Sequence, residues 1–182
     1  MAFSINEFSA GLQYGGARPS KFSALITNPI DATSDAKIPL LFKAASLPGR
    51  TFGIVNVGYF GRQVPLPGDP TFEPWTTTVY NDEDFAIRNT LEKWHSAMNG
   101  VETNIASVGS APGNYLSQGS VTQYDKAGNE LRTYEFVGLW PSQIGPIELD
   151  WDNRDQIEVF QVTWQFAYWQ IASGSTGNGG TA

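Results

Sequence analysis

Apolar, aromatic and β-branched side chains gather along this chain in short runs and recur at helical spacing only once. The runs, bounded by Gly, Pro, Asn and Asp, predict strands at residues 22–27, 40–46, 54–60, 72–80, 116–124, 131–140 and 156–171. Ile87, Leu91, Trp94 and Met98 are spaced by four, three and four residues, which places one apolar stripe on a helix from Asp82 to Asn99. Asp82, Glu83 and Asp84 suit the unpaired N–H groups of a helix start, and Asn99-Gly100 suits its end. The clearest hairpin joins the runs at 116–124 and 131–140 through Asp125-Lys126-Ala127-Gly128-Asn129. In the last run Phe160, Val162, Trp164, Phe166 and Tyr168 share one face, whereas Gln161, Thr163 and Gln165 share the other, polar and uncharged one. These elements describe a mainly β fold, an antiparallel sandwich or barrel-like subunit with one peripheral helix.

With 182 residues the chain can bury one core. A single domain over 21–172 is expected, with an N-terminal arm over 1–20 and a flexible Gly-rich tail over 173–182. Aromatic content of 13% beside only 16% charge leaves much apolar surface to bury, and other subunits are a natural place for it. A net charge of −7 argues against a protein that grips phosphate backbones, because that affinity comes from Lys and Arg displacing counterions. The absence of Cys removes disulfides and thiol catalysis and suggests a product of a reducing cytoplasm. The N-terminus lacks the basic and apolar regions of a signal peptide, and no run reaches membrane-spanning length, so no membrane partner is expected.

Catalytic readings fail one requirement at a time. His95 is the single histidine, which rules out two-histidine metal sites and leaves it as a surface or interface side chain on the helix. There is no GxSxG elbow and no phosphate-cradling Gly-rich loop. Glu148, Asp150, Asp152, Asp155 and Glu158 fit no calcium-loop spacing and read as a solvated, DNA-repelling or interface-setting face. No catalytic residue, metal ligand or cofactor is called.

The stretch 47–70, LPGRTFGIVNVGYFGRQVPLPGDP, supports two readings. It is either a hairpin covering its own core or an arm that reaches a neighbour with Phe52, Ile54, Val55, Tyr59 and Phe60. Phe85 likewise reads as a local staple or a partner contact, and Arg88, Glu92 and His95 are expected to border solvent or another subunit.

Four segments carry a resemblance. EPWTTTVYNDEDFAIRNTLEKWHSAMNG at 73–100, FKAASLPG at 42–49, YEFVGLWPSQIGPIELDW at 134–151 and IEVFQVTWQFAYWQ at 157–170 resemble the tail tube proteins of contractile-tailed, T-even-like bacteriophages. The resemblance implies a β-sandwich-like subunit whose sheets join in hexameric rings that stack into a hollow tube. The sheath protein would surround it, baseplate and tail terminator proteins would bound it, and tape measure protein and then DNA would occupy the lumen. Its place would be the virion tail, after synthesis in the host bacterial cytoplasm. Four strands from each of six subunits would close a barrel of about twenty-four strands, roughly 48 Å across the backbone with a bore of roughly 40 Å. Gln161, Thr163 and Gln165 then become candidates for the lumen wall, and Phe85, Arg88, Glu92 and His95 for the outer face or ring interface. Alternatives are the inner tube of a tailocin or a type VI-like injection system and, from another class, a carbohydrate-binding or glycosidase β-sandwich.

Overall fold

Every strand pairing is antiparallel, and one long strand belongs to both halves of the sandwich. The computed structural model describes residues 4–12, 14–109, 111–152, 154–177 and 179. In chain order these form α1 (Ile5–Gly11), β1 (Phe22–Ile26), α2 (Ile38–Leu41), β2 (Phe42–Ala45), β3 (Arg50–Tyr59), β4 (Arg62–Phe72), β5 (Trp75–Tyr80), α3 (Ala86–Met98), β6 (Ser117–Tyr124), β7 (Glu130–Ile144), β8 (Val159–Gln165) and β9 (Tyr168–Ser173). The strands run β1-β6-β7-β8-β5-β2, β9 lies on the other side of β7, and β3 and β4 form a ribbon of their own.

Strand β7 changes partners along its length. Residues 130–139 pair with β6 and residues 133–137 with β9, whereas residues 140–144 pair with β8. The change falls at Gly138, whose φ of +70° is open to glycine and strained for other side chains. Opposite it the chain leaves β8 and enters β9, and Ala167 donates its N–H to the Val137 carbonyl at 2.9 Å. The continuous strand expected over 156–171 is therefore two strands. The alternation of Phe160, Val162 and Trp164 inward holds, but Phe166 is half-buried and Tyr168 is exposed, because the break resets the register.

Between the sheets lies an aromatic core. Trp75 stacks on Phe136 with ring centroids 4.5 Å apart, and Trp164 lies 6.3 Å from Trp75 and 6.1 Å from Trp94. Each buried indole N–H has an acceptor: Trp75 donates to the Ser46 carbonyl, Trp94 to the Tyr115 carbonyl and Trp164 to the Thr77 hydroxyl. Large rings are thus buried without leaving a donor unpaired.

Helix α3 closes one side of this core. Ile87, Leu91 and Trp94 are buried as their spacing predicts, and Met98 packs against the cluster from a half-buried position. Two residues off that stripe join it. Ala97 is buried, and Thr90 is held by Ser34 at 2.6 Å while Asn28 donates to the Thr90 carbonyl. The helix begins at Ala86, not Asp82. Asp82 and Asp84 accept from the backbone N–H groups of Glu83 and Ala86, and these short loops form a turn ahead of the helix. Phe85 occupies the cap position at φ +49° and stands exposed, so it is not a residue of the helix surface.

Other boundaries move for local reasons. The run at 40–46 is helical before it is extended, because Pro39 favours a first helical turn in α2. The run at 72–80 divides between the end of β4 and β5. The N-terminal arm contains α1, capped by Ser4 and exposed throughout, while residues 1–3 and 13 lie outside the described residues. The expected flexible tail begins as part of the sheet: β9 extends to Ser173, and the Thr176 N–H donates to the Leu131 carbonyl at 3.3 Å. Residues 178 and 180–182 of that tail lie outside the described residues.

Because Trp94 is fully buried and touches both sheet and loop, Trp94→Ala is expected to cost about 3–5 kcal/mol. Urea unfolding measures this directly, and a loss below about 1 kcal/mol would show that the helix docks without it.

Candidate functional site

The ribbon of β3 and β4 buries nothing of its own. Its strands are exposed along almost their whole length, so it does not cover the core of its own chain, and the first of the two sequence readings of 47–70 fails. At the tip, Phe60 and Gly61 both have positive φ, +44° and +76°, which is the two-residue turn that suits the twist of a hairpin. A phenylalanine there is strained by roughly 1–2 kcal/mol, and it is 90% exposed. Tyr59 meets its ring edge-on at 4.6 Å.

The pairing of Tyr59 with Arg62 sets which side chains share a face. Val55, Val57 and Tyr59 stand beside Val64 and Leu66 on one face, and all five are exposed apolar side chains. Asn56 and Gln63 stand on the other face with Ile54, Pro65 and Pro67. The base is firmly tied: Phe72 packs against Phe166 and Trp169, Arg50 lies over Trp169, and Trp169 donates to the Gly49 carbonyl at 3.2 Å. Sequence reasoning named Phe52, Ile54, Val55, Tyr59 and Phe60 but missed Val57, Val64 and Leu66. The alternation of 64 and 66 with prolines could have revealed the latter pair.

A second surface is polar. Gln161 is exposed and Thr163 and Gln165 are half-buried on the side of β8 opposite Phe160, Val162 and Trp164. The register places Thr78 beside Gln161 and both Thr76 and Gln143 beside Thr163. Those three neighbours, absent from the sequence reading, extend an uncharged floor across β5, β8 and β7. Residues from 145–150 and 156–158 line a groove of about 600 Å³ beside it, whose wall carries Glu148, Asp150 and Glu158. Asn81 donates to the Glu158 carboxylate at 2.9 Å and steadies that wall.

A family model described as phage tail tube protein matches residues 6–172. Tail tube protein gp19 of Enterobacteria phage T4 is 36% identical over 129 residues, which are 70% of this chain and 78% of the relative. The tail tube protein of Serratia phage KSP90 is 30% identical over 174 residues, 93% of this chain and 96% of the relative. This chain belongs to the phage tail tube protein family. Its fold is also found in chains of contractile injection particles. A chain of the PVC sheath-tube complex, an extracellular contractile injection system, aligns over 94% of this chain and 99% of its own length at TM-score 0.59 and 12% identity. The tube-terminating cap of the anti-feeding prophage aligns over 96% and 95% at TM-score 0.64 and 14% identity.

In this tail tube subunit, the four helix-associated candidates divide into two kinds. Phe85 and Glu92 are exposed, whereas Arg88 and His95 are half-buried and turn back onto their own chain. Arg88 bonds the Glu92 carboxylate at 2.8 Å and the Gly145 carbonyl at 3.1 Å, and its guanidinium lies over Phe160. His95 lies 3.0 Å from the Pro141 carbonyl, which its ring Nε2–H satisfies. These contacts tie α3 to the end of β7, and spacing alone could not distinguish them from free surface positions.

Ion pairs fasten the preceding loops to the same helix and to the turn ahead of it. Lys93 meets Asp31 at 2.6 Å, and Lys37 meets Asp84. The Lys93 hydrogen bond, with those from Thr33, lowers the Asp31 carboxyl from its ordinary 3.8 to about 2, and the Lys37 hydrogen bond lowers Asp84. A carboxyl lowered in the folded state stabilises fully above its unfolded pKa and loses that contribution as pH falls through its folded one. Asp35, raised by burial, works in the opposite sense. Stability is therefore expected to fall between pH 3.8 and about 2, and Asp31→Asn should flatten that part of the curve. Thermal unfolding across this range checks it, and identical slopes for both proteins would remove Asp31 from the account.

Proposed function

We propose that six copies of this subunit close a ring, that the rings stack into the inner tube of a contractile tail, and that the uncharged floor of Gln161, Thr163 and Gln165 faces the bore. The observation that carries the reading is the pairing of two surfaces on one subunit of this family. One is an uncharged floor on β5, β8 and the end of β7, with Lys43 of the adjoining β2 lying over Tyr80 at its margin, and the other is a long apolar ribbon exposed along almost its whole length. The ribbon supplies adhesion between copies, with Phe52, Ile54, Val55, Tyr59 and Phe60 among its contact residues. The floor supplies a wall along which DNA slides, since a basic wall would hold phosphates through counterion release.

Four strands, β2, β5, β8 and the end of β7, lie on the floor side of the sandwich. Six such sets give about twenty-four strands and a bore of roughly 40 Å, wide enough for duplex DNA. Tape measure protein would fill the lumen before DNA, without a specific site for either. The outer face carries Phe85 and Glu92 toward the sheath, with Arg88 and His95 holding the helix beneath them. Baseplate and terminator proteins meet the two ends of the stack. The chain acts as one structural domain over 21–172, catalyses no reaction, uses no cofactor, and reaches the virion tail from the host cytoplasm. The carbohydrate-binding and glycosidase readings give way to the family membership. An injection-system tube without DNA is the second reading, favoured by the likeness in fold to chains of a sheath-tube complex and of a tube-terminating cap.

Electron microscopy of the purified protein tests the assembly, with hollow six-fold tubes expected and featureless monomers opposing it. Removing residues 54–67, which brings Gly53 next to Gly68 across the ribbon, should abolish tubes while the subunit keeps its thermal unfolding, because the removed segment buries no core.

The bore assignment has its own test. Replacing Gln161 and Gln165 together by Lys adds about twelve positive charges to a ring of six and should slow DNA ejection, most strongly at low salt. Ejection kinetics indifferent to salt and to both substitutions would move this face away from DNA.

A further inference from the structure

The two outer edges of the ribbon are chemically unlike. Across a two-residue turn the flanking pair, Tyr59 and Arg62, exchanges hydrogen bonds, and pairs alternate from there. Val57 with Val64 and Val55 with Leu66 are therefore bonded pairs. Gly58 with Gln63, Asn56 with Pro65 and Ile54 with Pro67 are the pairs whose N–H positions point outward. Gly68 and Asp69 then stand against Gly53 as a bulge, and beyond it Pro70 faces Phe52, again where the nitrogen points away from β3. The outward edge of β4 thus lacks an N–H at Pro65, Pro67 and Pro70, and proline at these positions is how a strand edge is closed to pairing. The outward edge of β3 keeps its N–H at Phe52, Ile54, Asn56 and Gly58. Among the described residues no backbone group takes them up.

Charge says what fits that open edge. Between Arg50 and Phe72 the ribbon carries two basic residues and one acidic residue, Asp69, so the remaining nine basic and seventeen acidic residues leave the rest of the chain at −8. A positive ribbon with an apolar face is complementary to the acidic body of the same chain. We propose that the ribbon joins subunits by strand addition through β3 alone, its partner a second copy of this chain, while the prolines of β4 keep the opposite edge from pairing. One open and one closed edge make the contact heterologous, so copies add head to tail in one direction and cannot close as a two-fold pair through their ribbons. The inference rests on the self-assembly proposed above and adds which edge makes it.

Asn56→Pro removes an outward N–H of β3 without touching the bonds between β3 and β4, and Gln63→Pro makes the matching change on β4. Tubes of wild type and of Gln63→Pro, with loss of tubes from folded Asn56→Pro, are expected by electron microscopy. Tubes from Asn56→Pro as abundant as wild type, or equal loss from both variants, would overturn the edge assignment while leaving self-assembly standing. Absence of tubes from wild type would overturn self-assembly and the inference with it. Hydrogen exchange on wild type gives a reading that no substitution can spoil. The amides of Ile54, Asn56 and Gly58 should slow by about tenfold or more on assembly while that of Gln63 does not. Equal protection on both edges, or on neither, contradicts the proposal.

Discussion

A two-stranded ribbon with no sheet or helix behind it cannot hide its own apolar face. Val55, Val57, Tyr59, Val64 and Leu66 stay in water for that reason, and each half-exposed side chain forgoes part of the roughly 1.5–3 kcal/mol that full burial would return. A monomer gains nothing from such a face. The rest of the subunit makes it tenable. The ribbon's base is clamped by Phe72, Phe166, Trp169 and Arg50, so the arm projects in a set direction and most of its ordering entropy is spent before any partner arrives.

The same division of labour shapes the body. Trp75, Trp94, Trp164, Phe136 and Phe160 concentrate apolar burial between the sheets, and each tryptophan N–H ends on an oxygen. That concentration frees the outer side of β5 and β8 from any packing role, leaving threonines and glutamines that neither attract nor strongly repel a phosphate. Arg88 and His95 hold α3 onto the end of β7, which keeps the helix on the side of the sandwich that the core requires.

What the sequence made legible follows from where physics is local. The stripe Ile87, Leu91 and Trp94, the alternation of Phe160, Val162 and Trp164, and the turn at Asp125 to Asn129 each depend on neighbours within a few residues, and each is found as read. The break between β8 and β9 was illegible because it answers to Gly138, nearly thirty positions earlier in the chain. The start of α3 was misplaced because Asp82 and Asp84 cap short turns as readily as they cap helices. The reach of the ribbon was suggested by its length, but whether it lay on its own core could only be settled by the fold. Its prolines carried information that composition alone does not reveal: Pro65, Pro67 and Pro70 acquire meaning once the register shows that all three nitrogens face the same edge.

The chain has no cysteine, so a single one placed at Val64 reports on the ribbon face without competition. The rate of maleimide labelling at that position, compared between dispersed subunits and assembled tubes, addresses the central claim that another copy covers the ribbon. The account predicts rapid labelling of subunits and near-complete protection in tubes. Labelling that proceeds equally fast in both would show the apolar face still in water after assembly and would contradict it.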